Sequence, residues 1–419
     1  MTSSAEVAAD VPAAAENLPA SRLQLAGTLL LGLALALSPA YVVRPHLGPV
    51  PLTVLEIALL VALVVGYIAY WRELPWWNPY LVPGGLLVLA ALLAVLVSPA
   101  RRSAADTWLA YFAEPAAAGL LAAAICRRRA HARVLLGGLG VAGAVISVAN
   151  IGNTLYAIAT HRFSDVTPPV VIYNTANAIP LYLEPLLAFA LGIVVFSDDR
   201  RERWVAAGLA ALFVVADVLS FSRLGWITLA CLVVFVAAFT RVRWWIWAAI
   251  VVVGAAAFAL SSSVRRRILV EFGSSSNNTV LLRRPLWLST LNMLRHRPLQ
   301  GGGLDGFETT VQRYAVDGYN QGLIYPHNLF LDFWSETGIL GLLAIVFYGV
   351  QLVRLGVRGV FRTDSGWVRA LSLGLLGLVL AFLVHGIGDV PYFKNDLALA
   401  FWTLTGIQLG ALSMVAGRR

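Results

Sequence analysis

Runs of about 20 apolar residues recur along almost the whole chain, and they limit its possible folds more than any other feature. A helix rises 1.5 Å per residue, so a run of that length crosses the hydrocarbon core of a membrane, about 30 Å thick. Only 13% of the residues are charged, whereas a soluble domain has about a quarter. Because lipid offers the backbone no hydrogen bonds, the runs must be helical. The sequence therefore predicts an all-α integral membrane protein.

The apolar runs predict about 12 transmembrane helices and one large, partly helical loop. Residues 1–23 form a tail rich in Ala, Glu and Ser, which we expect to be disordered. Residues 24–260 contain the first nine predicted helices, residues 261–326 the loop, and residues 327–419 the last three helices. The predicted spans are 24–43, 50–70, 79–98, 106–126, 134–158, 174–197, 203–221, 224–240, 243–260, 327–353, 368–388 and 396–416.

Arginine side chains cluster in the loops on one side of these spans. They are Arg72, Arg127, Arg128, Arg129, Arg133, Arg200, Arg201, Arg203, Arg241, Arg243, Arg354, Arg358, Arg362 and Arg369. Short loops rich in Lys and Arg stay in the cytoplasm. Both termini are therefore predicted to be cytoplasmic, and the loop 261–326 is predicted to lie on the outer side. The net charge of +9 is explained by this orientation, so we expect no nucleic-acid partner.

Arg223 is predicted to lie at a tight outer turn, directly after Ser222, with Asp217 about one and a half turns earlier. One interpretation is an arginine that reaches the membrane surface and pairs with this aspartate. The other is a guanidinium that faces an outer cavity, where its fork suits a pair of phosphate oxygens. Glu114 and Glu184 each precede a proline within a span, and they either face a hydrated cavity or are neutral core acids.

The predicted loop ends at His327 and Asn328, which open the tenth span. His327 lies near the positive end of that helix, which favours a neutral imidazole that can act as a base. Asn328, Asp332 and Glu336 follow one another at a spacing of four and share one helix face. The alternative is a purely structural histidine at the membrane surface.

Two further groups of polar residues are predicted on the outer side. His385 and Asp389 are spaced i, i+4, so Asp389 either orients His385 or forms a capping pair with it. Arg283 and Arg284 lie in the outer loop with Trp287 one turn on, where the orientation rule does not predict arginine. They favour an anionic partner at the outer leaflet, unless they form a solvated face. No Cys/His spacing or nucleotide motif is present, so we expect no metal and no cofactor.

Four motifs together resemble the O-antigen ligase and polymerase superfamily. Pro298–Gly303, followed by Phe307, is similar to its P-L-x-G-x-G-x-x-x-F stretch. His327-Asn328 with Leu331, Glu336, Gly338, Gly341 and Leu342 resembles its H-N-x-x-L-x-x-x-x-E-x-G-x-x-G-L signature. Ser222-Arg223-x-Gly225 resembles its S-R-x-G turn, and Arg283 with Trp287 its R-x-x-x-W. The resemblance is strongest over residues 215–345.

This resemblance implies a metal-independent glycosyltransferase in the bacterial inner membrane, with its active site facing the periplasm. The donor it implies is a glycan on undecaprenyl diphosphate. The acceptor is lipid A–core oligosaccharide in a ligase, or a second lipid-linked glycan in a polymerase. The expected catalytic residues are His327, Arg223 and Arg283, and the expected substrate-binding residues are Arg284, Asn328, Glu336, His385, Asp389 and Ser222.

Two other classes of function remain open. A transporter for an anionic lipid would use the same outer cations, but it would need inward access and typically repeated halves. No internal repeat is visible in the sequence. A non-catalytic scaffold would need none of the four motifs. Between ligase and polymerase, the single long outer loop favours the ligase.

Overall fold

A computed structural model describes residues 21–43, 52–164, 167–241, 261–269 and 279–416, with scattered positions between 248 and 260. All regular structure in these ranges is helical. We number the helices α1 (Arg22–Ala36), α2 (Val54–Tyr70), α3 (Leu81–Val97), α4 (Arg101–Trp108), α5 (Glu114–Ile125), α6 (Arg129–Ala159), α7 (Ala178–Phe196), α8 (Arg200–Val218), α9 (Arg223–Ala237), α10 (Ser262–Leu269), α11 (Thr279–His296), α12 (Phe307–Val311), α13 (Leu329–Phe361), α14 (Gly366–His385) and α15 (Asn395–Ala416).

Eleven of the predicted spans coincide with helices, and the all-α prediction is confirmed for the described residues. The ninth predicted span, 243–260, and the tail 1–20 lie mostly or wholly outside those residues. Seven described helices are long and apolar enough to cross a membrane: Val54–Glu73, Arg101–Ile125, Arg129–Ala159, Ala178–Phe196, Leu329–Phe361, Gly366–His385 and Asn395–Val415. Three shorter apolar helices are α1, α3 and α9. The total of 12 spans therefore stays a prediction.

The central helices approach one another closely because small residues lie at their crossings. Gly192 of α7 packs against α14, where an added Cβ would come within 2.2 Å of the Ala370 carbonyl oxygen. Gly119 of α5 packs in the same way against Trp402 of α15, with the corresponding distance 2.6 Å. In lipid, helices associate through such close packing rather than through the hydrophobic effect. These contacts join α7 to α14 and α5 to α15, and α14 also contacts α15.

The described part of the predicted loop forms a small layer with its own apolar core. Helices α11 and α12 bury Leu286, Met293, Leu294, Phe307 and Val311, and Trp287 and Trp334 pack against them. The partly helical character expected for this loop is therefore present. Because Trp334 belongs to α13, this small core packs against a helix of the bundle.

Helix α13 is interrupted at Gly338, and the interruption attaches the loop to the bundle. Gly338 has a φ of 69°, and an added Cβ would lie 2.1 Å from the Leu299 carbonyl oxygen. Ile339 N donates to that oxygen at 3.1 Å, and Gly302 N donates to the Ser335 carbonyl oxygen at 2.7 Å. The Pro298–Gly303 segment thus uses the hydrogen-bonding groups that the break leaves free. Two of the four motifs therefore form one structural unit.

Candidate active site

His327 lies at the point where the loop enters α13, in a strained backbone conformation with a φ of 51°. Trp287 of α11 donates from Nε1 to the Pro326 carbonyl oxygen at 2.9 Å, which holds the residue before His327. The Tyr325 ring lies 4.0 Å from the imidazole ring between centroids. Non-glycine residues keep such a conformation only where the surroundings impose it. These contacts therefore fix segment 325–327 and with it the position of the His327 imidazole.

Asp389 is the acceptor at the centre of the site. Its Oδ1 receives hydrogen bonds from the Tyr325 hydroxyl at 3.0 Å and Val390 N at 2.9 Å, and it lies 3.4 Å from His327 Nδ1. Its Oδ2 accepts from Asn177 Nδ2 at 3.0 Å. Burial alone would raise the pKa of Asp389, but the hydrogen bonds of His327 and Asn177 and the charges of His327 and His385 together outweigh burial and hold the pKa well below its usual range. Asp389 is thus a buried carboxylate that faces the imidazole.

Ser222 joins this group through Asn177. Its hydroxyl donates to Asn177 Oδ1 at 2.8 Å and accepts from Gly225 N at 3.1 Å, which caps α9. A continuous hydrogen-bonded path therefore runs from Ser222 through Asn177 to Asp389 and His327. Sequence reasoning missed Asn177, because a single amide near the start of a predicted span carries no pattern that marks it.

Of the two arginines that the motifs single out, Arg283 meets the site near Gly388. A Cβ added to this glycine would lie 2.8 Å from Arg283 Nη1 and 2.6 Å from Leu224 Cδ1. The Arg283 guanidinium therefore lies against the turn that carries Asp389, and the residue after Arg223 reaches the same turn. Arg223 and Arg283 are half-buried and engaged in contacts, whereas Arg284 is exposed. A guanidinium near a His–Asp contact can bind an anion beside a base.

The side chains of His385 and Asp389, which the sequence predicts as a pair, make their hydrogen bonds to different partners. His385 Nδ1 lies 3.0 Å from each carboxylate oxygen of Glu184 on α7, while Asp389 faces His327. The physical reason is that α14 ends at His385, so Asp389 lies in a turn rather than on the same helix face. Both His385 and Glu184 are buried, so they link two spans inside the bundle.

Asp217 is also buried beneath the site. Neither of its carboxyl oxygens has a hydrogen-bond partner among the described residues, and the same holds for His385 Nε2. The predicted alternative in which Arg223 hydrogen-bonds to Asp217 is therefore not formed. Gly225 packs directly over this carboxyl group, since an added Cβ would lie 2.7 Å from Asp217 Oδ1.

The side chains of Asn328 and Glu336 form hydrogen bonds to backbone groups and do not face open space. Asn328 caps α13 by accepting from Phe330 N and Leu331 N, and its Nδ2 donates to the Ile387 carbonyl oxygen at 3.1 Å. Glu336 accepts from the backbone nitrogen of Asp305 in the loop. Asn328 therefore ties α13 to the turn after α14, and Glu336 ties α13 to the loop. Neither of these contacts brings the side chain to His327.

No group of three or more His, Cys, Asp or Glu suited to a metal ion occurs within the ranges that the structure describes. Two apolar cavities, of about 380 and 410 Å³, lie away from the site. The first lies between α6, α7 and α8 near Arg133 and Glu202, and the second lies beside Tyr80 and Tyr348. The chemistry at His327 is therefore carried by a surface between helix ends and not by either cavity.

The O-antigen ligase family model matches residues 207–346, about a third of the chain. No curated protein matches the chain. The match begins within α8, contains all four motifs and ends within α13. Asn177 and Asp389, which complete the hydrogen-bonded path to His327, lie outside it. Over residues 207–346 the chain is similar to the O-antigen ligase family, and the resemblance to the O-antigen ligase and polymerase superfamily is confirmed over this region.

Proposed function

We propose that the chain is an inverting, metal-independent glycosyltransferase of the O-antigen ligase type. It moves a glycan from undecaprenyl diphosphate to a hydroxyl of lipid A–core oligosaccharide at the outer face of the inner membrane. The observation that carries this proposal is the contact between His327 and Asp389, with Arg283 against the neighbouring Gly388. The family match supports lipid-linked glycans as the general class of substrate.

His327 is the base in this mechanism. Asp389 accepts the hydrogen on Nδ1, which leaves Nε2 free to take the proton of the acceptor hydroxyl. The acceptor oxygen then forms a bond to the anomeric carbon as the bond from that carbon to the diphosphate oxygen breaks. Attack from the face opposite the leaving group inverts the anomeric centre. The bonding electrons leave with undecaprenyl diphosphate, and the proton remains on His327.

Arg223 and Arg283 counter the charge that grows on the departing diphosphate. A guanidinium presents two parallel N–H donors to phosphate oxygens, and charge placed in advance costs no rearrangement during the reaction. Arg284 is exposed one residue further on, where it can attract the same anion from solvent. Ser222 acts through Asn177 and the start of α9, and so positions Arg223.

The orientation follows from the arginines at the other end of the bundle. Arg129 and Arg133 pair with Glu202 there, at 2.5 and 2.6 Å. Further arginines begin α8 and lie near the end of α13. Loops rich in arginine stay in the cytoplasm. The end that carries His327 then faces the periplasm, where the lipid-linked donor is presented.

The test is transfer by purified, reconstituted protein. His327→Ala and Arg223→Ala should each lower transfer about 100-fold or more, since a general base or a charge-stabilising donor contributes on that scale. Arg313→Ala is the matched control, because Arg313 is exposed in the same loop layer away from the site. Transfer at the wild-type rate in both site variants, with folded protein in the membrane, would overturn the assignment.

The same preparation separates the ligase from the polymerase and the transporter. Lipid A–core and a second lipid-linked repeat are offered as competing acceptors, and the product is identified by mass. A glycan joined to lipid A–core supports the ligase, whereas a doubled repeat on undecaprenyl diphosphate supports the polymerase. Binding of the donor without any product supports a transporter.

A further inference from the structure

A second group of polar and aromatic residues lies at the same end of the bundle, beside the candidate active site. It surrounds the junction between the turn after α14 and the start of α15. We call it the aromatic–acidic patch and define it as Tyr41, Glu56, Tyr111, Glu114, Lys394 and Asn395. None of these residues has a part in the mechanism above, and all except Glu114 are partly exposed.

Contacts between different helices hold the patch together. Asn395 Nδ2 donates to Glu56 Oε1 at 3.1 Å, which joins α15 to α2. Tyr111 packs edge-on against Phe393 with ring centroids 6.4 Å apart. Lys394 Nζ lies 4.9 Å from the ring centroid of Tyr173, and that ring lies 6.2 Å from the ring of Tyr41. The patch is therefore an ordered surface built from four separate parts of the chain.

The environment of Glu114 is the observation that indicates a ligand. Glu114 is 6% exposed, yet its carboxyl group has no hydrogen bond or ion pair with any residue in the described ranges. Its oxygens are not among the fully enclosed polar atoms that lack a partner, so part of the carboxyl group reaches the protein surface. The charged group that acts on it is Glu56. A buried carboxyl without a partner is costly, and a bound donor group would remove that cost.

The chemistry of the patch suits a sugar. Carboxylate and amide groups accept and donate hydrogen bonds to vicinal hydroxyls, and aromatic rings pack against the apolar face of a pyranose. The excess of carboxyl groups in the patch repels a phosphate, so a phosphate is not the expected ligand there. Glu56, Glu114 and neighbouring Asp396 supply three carboxyl groups against the single ammonium of Lys394. The ligand class is therefore a neutral or amino-bearing saccharide.

We propose that the aromatic–acidic patch binds the acceptor sugar of the transfer reaction, an inference that rests on the proposed function. The turn from Gly388 to Asn395 connects the two regions: Gly388 meets Arg283 and Leu224, and Lys394 and Asn395 meet the patch. Asp389, which faces His327, lies between them. Inversion requires the acceptor and the leaving diphosphate on opposite faces of the anomeric carbon. If Arg223 and Arg283 bind the diphosphate, the acceptor approaches the anomeric carbon from the side on which the patch lies.

The test combines binding with kinetics on the full-length protein in detergent. Calorimetric titration with delipidated core oligosaccharide gives the acceptor Kd without any turnover. Glu114→Gln and Asn395→Ala should each raise this Kd about tenfold or more, the loss expected for a hydrogen bond to a charged group or its positioning partner. In transfer assays the same variants should raise KM for the acceptor and leave KM for the lipid-linked donor within about twofold.

Glu308→Gln is the control, because Glu308 is an exposed loop carboxylate outside the patch and should leave both constants unchanged. Unchanged acceptor Kd in both patch variants, no binding by the wild type, or a rise in donor KM alone would each overturn the inference. Wild-type protein that binds oligosaccharide through the patch but transfers nothing would support the saccharide site and overturn the proposed function. Thermal unfolding of both variants confirms that they are folded.

Discussion

Asn177 donates a hydrogen bond of 3.0 Å from its Nδ2 to Oδ2 of Asp389. The orientation of the amide is set on its other side, since the Ser222 hydroxyl gives its hydrogen to Asn177 Oδ1. Gly225 N already donates to the Ser222 oxygen, so the direction of each bond along the path is determined. Asp389 therefore only accepts hydrogen bonds, which suits a carboxylate that orients an imidazole.

Asn177→Ala should lower transfer about tenfold, because Asp389 loses the donor that fixes its Oδ2. Asn177→Asp should lower transfer further, since two carboxyl groups would then face each other at this distance. The measurement is kcat and KM for both substrates across pH, where a positioning residue alters the pH profile of kcat. Asn174→Ala, at an exposed position in the same segment, serves as the control. An unaltered pH profile in both Asn177 variants would contradict this role.

Asp389→Asn should remove a stabilising contribution that depends on pH. The pKa of Asp389 is lowered in the folded protein, so the carboxylate favours the folded state above the ordinary aspartate pKa of about 3.9. This contribution is lost as pH falls through the lower folded value. At pH 7 the variant should therefore unfold more easily, by about 1–3 kcal/mol. Thermal unfolding of both proteins should show the difference shrinking from about pH 4 downwards; a constant difference would argue against the depressed pKa.

Gly338→Ala should destabilise the junction between the loop and α13. Alanine at this position would have to keep a φ of 69°, which is strained for a residue with a side chain. Its Cβ would lie 2.1 Å from the Leu299 carbonyl oxygen. We expect a loss of about 2–4 kcal/mol and a matching loss of transfer, as the Pro298–Gly303 segment moves away. Gly349→Ala lies further along the same helix with nothing within 4 Å of its added Cβ, so it should be neutral or slightly stabilising. Equal unfolding midpoints for the two variants would show that the break is not required.

The buried pair of Glu184 and His385 should behave as a coupled unit. Each substitution alone, Glu184→Leu or His385→Leu, leaves the other polar group buried without its partner, at a cost of about 2–4 kcal/mol. The double variant should cost less than the two single losses together, because it removes both groups. Thermal or denaturant unfolding of all four proteins completes the cycle. Strict additivity would mean that the 3.0 Å contact contributes no coupling.

The local sequence pattern determined most of the helices of this protein and some of the residues near its site. The length and polarity of the apolar runs predict most of the helices, because helical rise and membrane thickness are both constant. Helical spacing also places Arg283 and Trp287 on one face of α11, and Ser222 is a residue that typically caps a helix. In the structure, Trp287 Nε1 donates to the Pro326 carbonyl oxygen and Ser222 caps α9, so both residues lie in the frame of the site.

Only the tertiary structure decided which polar groups meet. Asn177 and Asp389 are 212 residues apart, and Glu184 and His385 are 201 residues apart. Nothing in the spacing of His385 and Asp389 reveals that the helix ends between them. Such pairs are set by which helices pack side by side, and that depends on small residues such as Gly192 at the crossings. A local sequence pattern carries helical period and length, whereas partners across the bundle are chosen by packing of the whole chain.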